Sequence, residues 1–458
     1  MSARLSVIDE MFLRTHRGLG TPIVMQGLWR TDERVEDSTL ESLRTALARG
    51  ALGVRVVRAR IPGARPRFER STTAFPVEYS KIDSAEVTAW ADEQGSLQVN
   101  PERGPGWRLT CARLADGGTV LSLVCSHVIA DARGLSEAIA AVLQETTAAA
   151  LQETTAAALQ DSTAAGLQDA TAAALQGTAE PGGGSSARST TADLRDAAQL
   201  TRRVAVGTAR AVAGLLVSRR RRAELRRYMK ERGKTHPEME SSSRPSGNSP
   251  VSAVLEVDAE QWDTAAEQAG GTANSLFLSV VAESARRVGE SRPLTLSVPM
   301  DLRSRDDCDA TANSVAMVEI TTFPQDSVAD LRAASRAAFS SPSMTSPAGF
   351  PEEMLQLVPD RVAYALTGNP GERDVLCSNI GPLPDVLSSI GGHRTTGIAT
   401  RAVHPGVVTG RTRMSAYLSR FGGVYTLALE SLDSPNRAAL RDQVERVLVR
   451  HGLTTRSW

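Results

Sequence analysis

The run Leu121–Asp131, with the sequence LSLVCSHVIAD, carries the strongest structural signal in the chain. It begins as an apolar, β-branched stretch that is typical of a buried strand, and a histidine, His127, ends that stretch. Asp131 follows His127 at the i+4 position. The unperturbed pKa of histidine suits proton transfer near neutral pH, so a strand that brings an imidazole to the end of a sheet beside a carboxylate can present a general base. The run therefore predicts a strand ending at His127 and makes this residue the first candidate for catalysis.

Residue types and spacing alone leave the role of His127 open. A conspicuous histidine is more often structural than catalytic, because such groups mark functional sites only statistically. A metal site is disfavoured, since His127 and Asp131 would need two further ligands and the chain has no HExxH sequence. A serine hydrolase is disfavoured as well, because no Gly-x-Ser-x-Gly elbow is present.

Length and composition indicate a globular protein of two domains. The chain has 458 residues, a length that exceeds what one hydrophobic core usually serves. The hydrophobic fraction of 41% is typical of globular proteins. The 52 Lys and Arg balance the 52 Asp and Glu, so net charge gives no reason to expect nucleic-acid binding. The cysteines have no CxxC or metal-like spacing and fit reduced cytoplasmic thiols. They are Cys111, Cys125, Cys308 and Cys377.

The sequence predicts neither a signal peptide nor a membrane-spanning helix. Residues 1–12 include Asp9 and Glu10 and lack the apolar core of a signal peptide. The longest apolar stretch, Val204–Val217, is shorter than the roughly 20 residues that a spanning helix needs, and Arg210 interrupts it. We therefore expect a cytoplasmic protein whose membrane contact, if it has one, is peripheral.

Hydrophobic patterning divides the chain into two α/β parts, residues 1–142 and 251–458, and a middle part, residues 143–250. In the first part the predicted strands are 23–29, 107–113 and 119–126, and the predicted helices are 38–49 and 134–143. In the last part the predicted strands are 251–257, 294–299, 314–322 and 424–429, and the predicted helices are 259–269, 272–288 and 435–451.

An octad repeat occupies much of the middle part. Its unit, LQETTAAA, begins at Leu143 and recurs with drift from 151, 159, 167 and partly 175. At about 100° per residue, each repeat moves the leucine about 80° around a helix, so the leucines cannot share one face. A solvated helical spacer or a recent repeat expansion is favoured over a functional coiled coil. A flexible break at 181–186 ends the repeats.

The basic segment, residues 193–234, is open to two interpretations. Between Arg202 and Lys234 it holds twelve Lys or Arg and two Glu, beside the apolar stretch Val204–Val217. One interpretation is a helix that lies on an anionic membrane or lipid droplet, or that guides an acidic acyl carrier protein. The other is a solvated connecting helix. The sequence does not show which face of the helix is apolar.

The residues around His127 resemble an active-site motif. Ser126–Ala132, SHVIADA, is similar to the HHxxxDG motif of the CoA-dependent acyltransferase superfamily. This superfamily includes chloramphenicol acetyltransferase, peptide-synthetase condensation domains and the wax ester synthase/diacylglycerol acyltransferases. Four further stretches resemble landmarks of the wax ester synthase branch, in the same order along the chain. They are Leu5–Leu13, Thr272–Ser275, Ser297–Arg303 and Ser378–Pro384.

The resemblance implies a fold and a set of roles. The fold is α/β, with two chloramphenicol-acetyltransferase-like subdomains that form a pseudo-dimer around a central tunnel. The second histidine of the motif is the base, and His127 occupies that position. Asp131 points away from the substrate and pairs with an arginine, for which Arg303 is the candidate, and so supports the loop that presents His127. Asn274 and Ser415 are candidates for a hydrogen bond to the developing oxyanion. No metal or cofactor is implied, since acyl-CoA is the donor substrate.

Three positions depart from the family pattern. Ser126 stands in place of the first histidine, Ala132 in place of the glycine, and Ser275 in place of the aspartate after Asn274. These changes bear more on the substrate than on the chemistry, because His127 is retained. The expected function is transfer of an acyl group from a CoA or carrier thioester to an alcohol, such as a long-chain alcohol or diacylglycerol. The alternatives are a condensation-type acyltransferase of specialised metabolism with a carrier-bound donor, and a catalytically degenerate binding protein of the same fold.

Overall fold

The computed structural model describes most of both α/β parts and a portion of the middle part. The described residues are 3–19, 22–146, 185–223, 225–226, 250–302, 313, 315–340, 349–367, 374–405 and 412–458. The octad repeats from residue 147 onward, and Arg303, lie outside the described residues.

The N-terminal half combines short strands with amphipathic helices. In the helix over Asp37–Arg49, leucines 40, 43 and 47 recur at helical spacing and all three are buried. The strands are β1 (Val24–Thr31), β2 (Val54–Val57), β3 (Arg67–Arg70), β4 (Glu78–Ile82), β5 (Trp107–Leu114) and β6 (Thr119–Ser126). The helices are α1 (Val7–His16), α2 (Asp37–Arg49), α3 (Val87–Gly95) and α4 (132–146).

A long helix, α5 (Ser185–Val217), leads into the C-terminal half. The strands there are β7 (Val251–Asp258), β8 (Leu294–Asp301), β9 (Val315–Thr322), β10 (Val375–Pro382), β11 (Ser389–Ile390), β12 (His393–Val403), β13 (Met414–Phe421), β14 (Val424–Ser431) and β15 (Thr455–Ser457). The helices are α6 (Ala259–Gln268), α7 (Ala273–Ala285), α8 (Val328–Ser340), α9 (Met354–Leu357), α10 (Asp360–Thr367) and α11 (Arg437–Arg450). No helix within the described ranges has the length and apolar character needed to cross a membrane.

The strands form two large sheets, one for each subdomain. The first has six strands in the order β11-β12-β1-β6-β5-β4, and the second has seven in the order β15-β7-β14-β13-β10-β8-β9. Each sheet has its own apolar core. The first core also includes Val254, Tyr417 and Ala428 from the second sheet, so the two subdomains share buried apolar contacts. The predicted α/β fold of two subdomains is confirmed.

Strand β12 belongs to the first sheet although its sequence lies in the C-terminal half. It pairs antiparallel with β1, with Val403 opposite Val24. On its other side β1 pairs with β6, with Ser126 opposite Val24. The C-terminal half therefore contributes a strand next to the one that lies beside His127. The domain boundaries at residues 142 and 251 stay a prediction. Since β12 lies after residue 251, the first sheet contains strands from both the N-terminal and the C-terminal part of the chain.

Most predicted elements are observed with small shifts of their ends. The predicted strands 23–29 and 107–113 correspond to β1 and β5, while 119–126 matches β6 residue for residue. The predicted helix 272–288 is shorter in the structure, because α7 ends at Ala285 and residue 286 is already extended. The strands that were not predicted are β2, β3, β4, β10, β11, β12, β13 and β15.

Candidate active site

His127 follows the last residue of β6, where the chain turns toward α4. All eight residues of β6 are buried, as expected for a central strand. The His127 amide donates a hydrogen bond to the Ile23 carbonyl at 3.4 Å, which extends the pairing with β1 by one residue. The Ser126 carbonyl accepts from the Ile129 amide at 2.9 Å and closes the turn. The strand that the run Leu121–Asp131 predicts is therefore present, and it brings His127 to the end of the sheet.

The imidazole of His127 lies against Phe12 of α1. The two rings are stacked, with centroids 3.7 Å apart and planes 15° from parallel. The Nδ1 atom of His127 is buried and has no hydrogen-bond partner among the other described residues. The residue as a whole keeps partial exposure. Buried nitrogen atoms without a partner are uncommon in folded proteins, so this atom is a feature that a purely structural histidine seldom shows.

Asn313 joins α1 to the backbone of His127. Its side-chain Nδ2 donates to the His127 carbonyl at 2.8 Å and to Oδ1 of Asp9 at 2.8 Å. Asp9 is buried and forms a capping box with Ser6 at the start of α1. Because Asn313 follows β8 in the C-terminal half, both halves of the chain determine where the imidazole lies.

Helix α1 is fixed on its other side by the C-terminal half. The Arg14 side chain donates to the Leu355 carbonyl at 2.8 Å and pairs with Asp360 at 3.1 Å. The Gln356 amide donates to Glu10 at 2.9 Å. Burial raises the pKa of Glu10 to about 7 even though Arg14 lies beside it. Helix α1 is thus held between the subdomains and provides a rigid wall behind the His127 ring.

Burial also lowers the pKa of His127 below its usual range. The negative charges of Asp131 and Asp9 act in the opposite direction but do not reverse the shift. The ring is therefore neutral near pH 7, and the neutral imidazole is the form that accepts a proton.

Asp131 lies at the start of α4 and caps that helix. Its Oδ1 accepts a hydrogen bond from the Gly134 amide at 2.8 Å, in the N-cap geometry. The side chain is buried, at 7% exposure. The proposed partner Arg303 lies outside the described residues, so that pair stays a proposal. The cap gives Asp131 a supporting role in the turn that presents His127, and this role follows from the described contacts alone.

Two substitutions distinguish the helix-capping role of Asp131 from the effect of its negative charge on His127. We expect Asp131→Ala to be less stable than Asp131→Asn by about 1 kcal/mol, because asparagine caps helices nearly as well as aspartate. Both should lower the pKa of His127 further, since the Asp131 charge raises it. Urea unfolding measures the first effect, and the acidic limb of the kcat/KM profile measures the second. Equal loss of stability in the two variants would contradict the capping role.

Ser275 and Arg133, the neighbour of Ala132, have local structural roles. Arg133, next to Ala132, pairs with Asp301 at the end of β8 at 2.8 Å. Ser275 accepts a hydrogen bond from the Thr272 amide at 2.7 Å and completes the capping box of α7. Thr272, rather than Asn274, is therefore the N-cap.

The two candidate oxyanion contacts lie apart. Asn274 Oδ1 accepts from the Asn379 side chain at 3.0 Å, which joins the Thr272–Ser275 and Ser378–Pro384 stretches. Asn379 lies on β10 and is paired with Leu418 of β13, which is three positions beyond Ser415 on that strand. At about 3.3 Å per residue, this is a separation of roughly 10 Å along the strand. Asn274 and Ser415 are thus alternatives rather than one binding group, and the role of each stays a proposal.

A second imidazole lies at the same end of the first sheet. His404 follows Val403 at the end of β12, and His127 follows Ser126 at the end of β6. Because β12 and β6 flank β1, the backbones of the two histidines are two strand spacings, or roughly 10 Å, apart. The Nδ1 atom of His404 lies 2.8 Å from the carboxylate of Glu430. Glu430 lies on β14, directly opposite Ser415 of β13. Sequence reasoning missed this pair because His404 has no nearby carboxylate in the sequence.

Sequence reasoning also missed Phe12, Asp9 and Asn313. A signal was available for the first two, since residues three apart on a helix lie on one face and both fall within Leu5–Leu13. Asn313 had no local signal, because its contact depends on how the segment after β8 approaches the His127 turn.

Replacing Phe12 by alanine tests the stacking contact. We expect kcat/KM to fall about 2- to 10-fold, the range that corresponds to an aromatic pair. The pKa of His127 should rise toward its usual range, because burial lowers it and the variant admits water. The pH dependence of kcat/KM measures both effects. Phe68→Ala is the matched control, since Phe68 packs on the same small cluster. An acidic limb that does not move in Phe12→Ala, or that moves equally in Phe68→Ala, would contradict the assignment.

Several solved structures with a similar fold are condensation domains. The first condensation domain of the CDA synthetase aligns with a TM-score of 0.58 and 15% identity over 98% of this chain and 95% of that one. The first condensation domain of the calcium-dependent antibiotic synthetase, in complex with a substrate analogue, gives 0.56 and 16% over 98% and 95%. The starter condensation domain of rhizomide synthetase, in complex with C8-CoA, gives 0.52 and 13% over 98% and 94%.

At these identities the likeness establishes the fold. No protein-family model matches the chain, and no curated protein matches it. Condensation domains are one of the groups in the superfamily whose active-site motif Ser126–Ala132 resembles. The structural likeness and the sequence resemblance thus point to the same class of fold independently.

Proposed function

We propose that this protein is a condensation-type acyltransferase, which moves an acyl group from a thioester to an amine or hydroxyl acceptor with His127 as general base. The observation that carries the proposal is the placement of this imidazole. It ends a buried strand, keeps partial exposure, has a lowered pKa, and has a buried Nδ1 without a partner among the other described residues. The lowered pKa keeps the imidazole neutral before the reaction, and the partial exposure of the residue leaves the ring accessible to a substrate.

The proposed reaction is a direct transfer. The acceptor N–H or O–H gives its proton to His127 as the acceptor atom attacks the thioester carbonyl carbon. The carbon–sulfur bond then breaks, and His127 returns the proton to the departing thiolate. A hydrogen-bond donor at the carbonyl oxygen would stabilise the developing negative charge, and Asn274 and Ser415 are the proposed candidates.

The remaining residues of the site act by holding His127. Phe12 fixes the plane of the ring, Asn313 fixes the backbone carbonyl, and Asp131 caps the helix that follows. We place these side chains in positioning roles, because each contacts His127 or its turn. Such precise placement matters because a base must lie within hydrogen-bond reach of the proton that it removes.

The condensation reading is supported better than the wax ester or diacylglycerol reading. The three solved structures described above are condensation domains, whereas the lipid acceptors rest on sequence resemblance alone. One of those structures holds C8-CoA, so both a CoA and a carrier thioester are reasonable donors to test. The departure Ser275 lies at a position of the wax ester synthase pattern and weakens that assignment further.

A donor comparison tests the proposal. Purified protein is given the same octanoyl group as a CoA thioester and as a carrier-protein thioester, with pooled amines, alcohols and diacylglycerol, and products are identified by mass spectrometry. We expect an amide or ester that forms faster from the carrier thioester. An acyl product with long-chain alcohols or diacylglycerol alone would favour the wax ester reading. Absence of any acyl product with both donors, together with tight binding of the acyl carrier, would favour a degenerate binding protein.

A further inference from the structure

Helix α5 has one face fixed to the protein body and another face exposed. On the inner face, Asp193 is fully buried and pairs with Arg4 at 2.6 Å. One turn further, Asp196 pairs with Arg65 at 2.6 Å. Buried pairs of this kind fix the orientation of the helix, because breaking one leaves a charge without a partner. The N-terminal part of α5 is therefore held against the first subdomain.

The same face contacts the C-terminal half further along. Gly207 lies so close to Pro351 that a Cβ atom at this position would be 2.8 Å from the proline Cγ. Leu200 and Ala211 are buried on this side, with 3% and 1% exposure. At 100° per residue, these residues and the two aspartates fall within one side of the helix. The opposite side is therefore turned outward along the whole described length.

The outward face is apolar to an unusual degree. Leu194 and Val212 are eighteen residues apart, which is five full turns, so they point in the same direction, and Leu216 lies about 40° away. Their exposed fractions are 60%, 44% and 73%. Val206 and Val217 add exposures of 42% and 86% on the adjoining part of the face. Five large exposed aliphatic side chains over about 35 Å are more than scattered surface residues.

Arginines lie along one edge of the aliphatic stripe, between it and the buried face of the helix. Arg202, Arg203 and Arg210 are exposed and lie about 80–180° around from Leu194. The described residues 219–222 add four more arginines directly after the helix. Residues 197–223 contain no Asp or Glu, and the acidic residues just before them are paired. The exposed surface of α5 thus combines an aliphatic stripe with arginines along one edge and after its C-terminal end.

We propose that the outward face of α5 binds an anionic phospholipid surface, with the aliphatic stripe in the interface and the arginines on the lipid phosphates. An amphipathic helix with aliphatic and basic residues on its exposed side is the established physical solution for lying in a membrane interface. An acidic protein partner would use the arginines but has no need of five aliphatic side chains spread over about six turns. The structure thus favours the lipid interpretation of the basic segment. It is independent of the transfer reaction proposed above.

Co-sedimentation with vesicles tests this proposal without an activity assay. The full chain is mixed with vesicles of phosphatidylcholine alone and of phosphatidylcholine with phosphatidylglycerol. We expect binding to the anionic vesicles that weakens as salt is raised, and little binding to the neutral ones. Protein that stays in the supernatant with the anionic vesicles would overturn the proposal.

Two variants test the two components of the face. Val212→Ser with Leu216→Ser removes aliphatic contact, and Arg202→Gln with Arg203→Gln and Arg210→Gln removes charge. Each should weaken partitioning at least about tenfold. All five positions are exposed, so the variants should melt at the wild-type temperature.

Matched controls use exposed residues elsewhere on the surface. Val449→Ser and the triple variant Arg394→Gln, Arg441→Gln, Arg450→Gln should bind vesicles like the wild type, because these side chains lie outside α5. Equal loss in the controls would overturn the proposal. Loss of vesicle binding in the α5 arginine variant, with full binding in the serine variant, would also overturn the proposal. Charge alone would then account for the contact, as it would with an acidic carrier protein.

Discussion

Replacing His127 by alanine is expected to lower kcat/KM by a factor of about 10²–10⁴ while leaving the protein folded. This range is what a general base typically contributes. The stability change should stay within about 1.5 kcal/mol, because the substitution removes one stacked ring contact, with Phe12, and no described side-chain hydrogen bond of the imidazole. Steady-state kinetics and urea unfolding of the same preparation measure the two quantities together.

His393→Ala is the matched control for this prediction. His393 also lies beside a carboxylate, with its Nδ1 3.2 Å from Glu33, but it begins β12 rather than ending β6. We expect its loss to leave kcat/KM close to the wild-type value. A His127→Ala variant that keeps full activity, or that loses activity only because it unfolds, would contradict the role of His127.

The largest expected effect on stability comes from Asp92 in α3. Its carboxylate lies 2.8 Å from the guanidinium of Arg401 on β12 and 2.8 Å from that of Arg437 on α11, and it accepts a hydrogen bond from Ser252. The Arg401 side chain is 1% exposed. Asp92→Ala should therefore cost about 3–5 kcal/mol, the range for removing one partner of a buried ion pair. Urea unfolding measures this loss.

Two further variants make the Asp92 prediction specific. Asp442→Ala removes a carboxylate that pairs with Arg441 on the surface, and it should cost no more than about 1 kcal/mol. Adding Arg401→Met to Asp92→Ala should recover a large part of the lost stability, because no buried charge is then left without its partner. If the double variant is less stable than Asp92→Ala alone, the buried charge is not the cause of the loss.

Local sequence patterns predicted the parts of the fold that depend on neighbouring residues. Strand β6 was predicted residue for residue, because its apolar run is bounded by a turn on one side and by His127 on the other. Helix α2 follows from three leucines at helical spacing. Strand β12 was missed because its place is decided by pairing with β1, far away in the sequence, and a single sequence carries no signal for such a pairing.

The same distinction applies to the candidate site. His127 and Asp131 were found because they lie only four positions apart in the sequence, and the structure adds the capping bond that the Gly134 amide donates to Asp131. The contacts of Phe12 and Asn313 with His127 were missed because they depend on how α1 and the segment after β8 pack against the turn. The sequence therefore identified the proposed base, and the structure identified what holds it in place.

The most direct test of the central claim is product formation by the wild type and by His127→Ala from one octanoyl carrier thioester and a pool of amines and alcohols, followed by mass spectrometry. The account predicts an acyl-acceptor product with the wild type and with His393→Ala, and its near absence with His127→Ala. The same product in equal amount from His127→Ala, or none from the folded wild type with either donor, would contradict it.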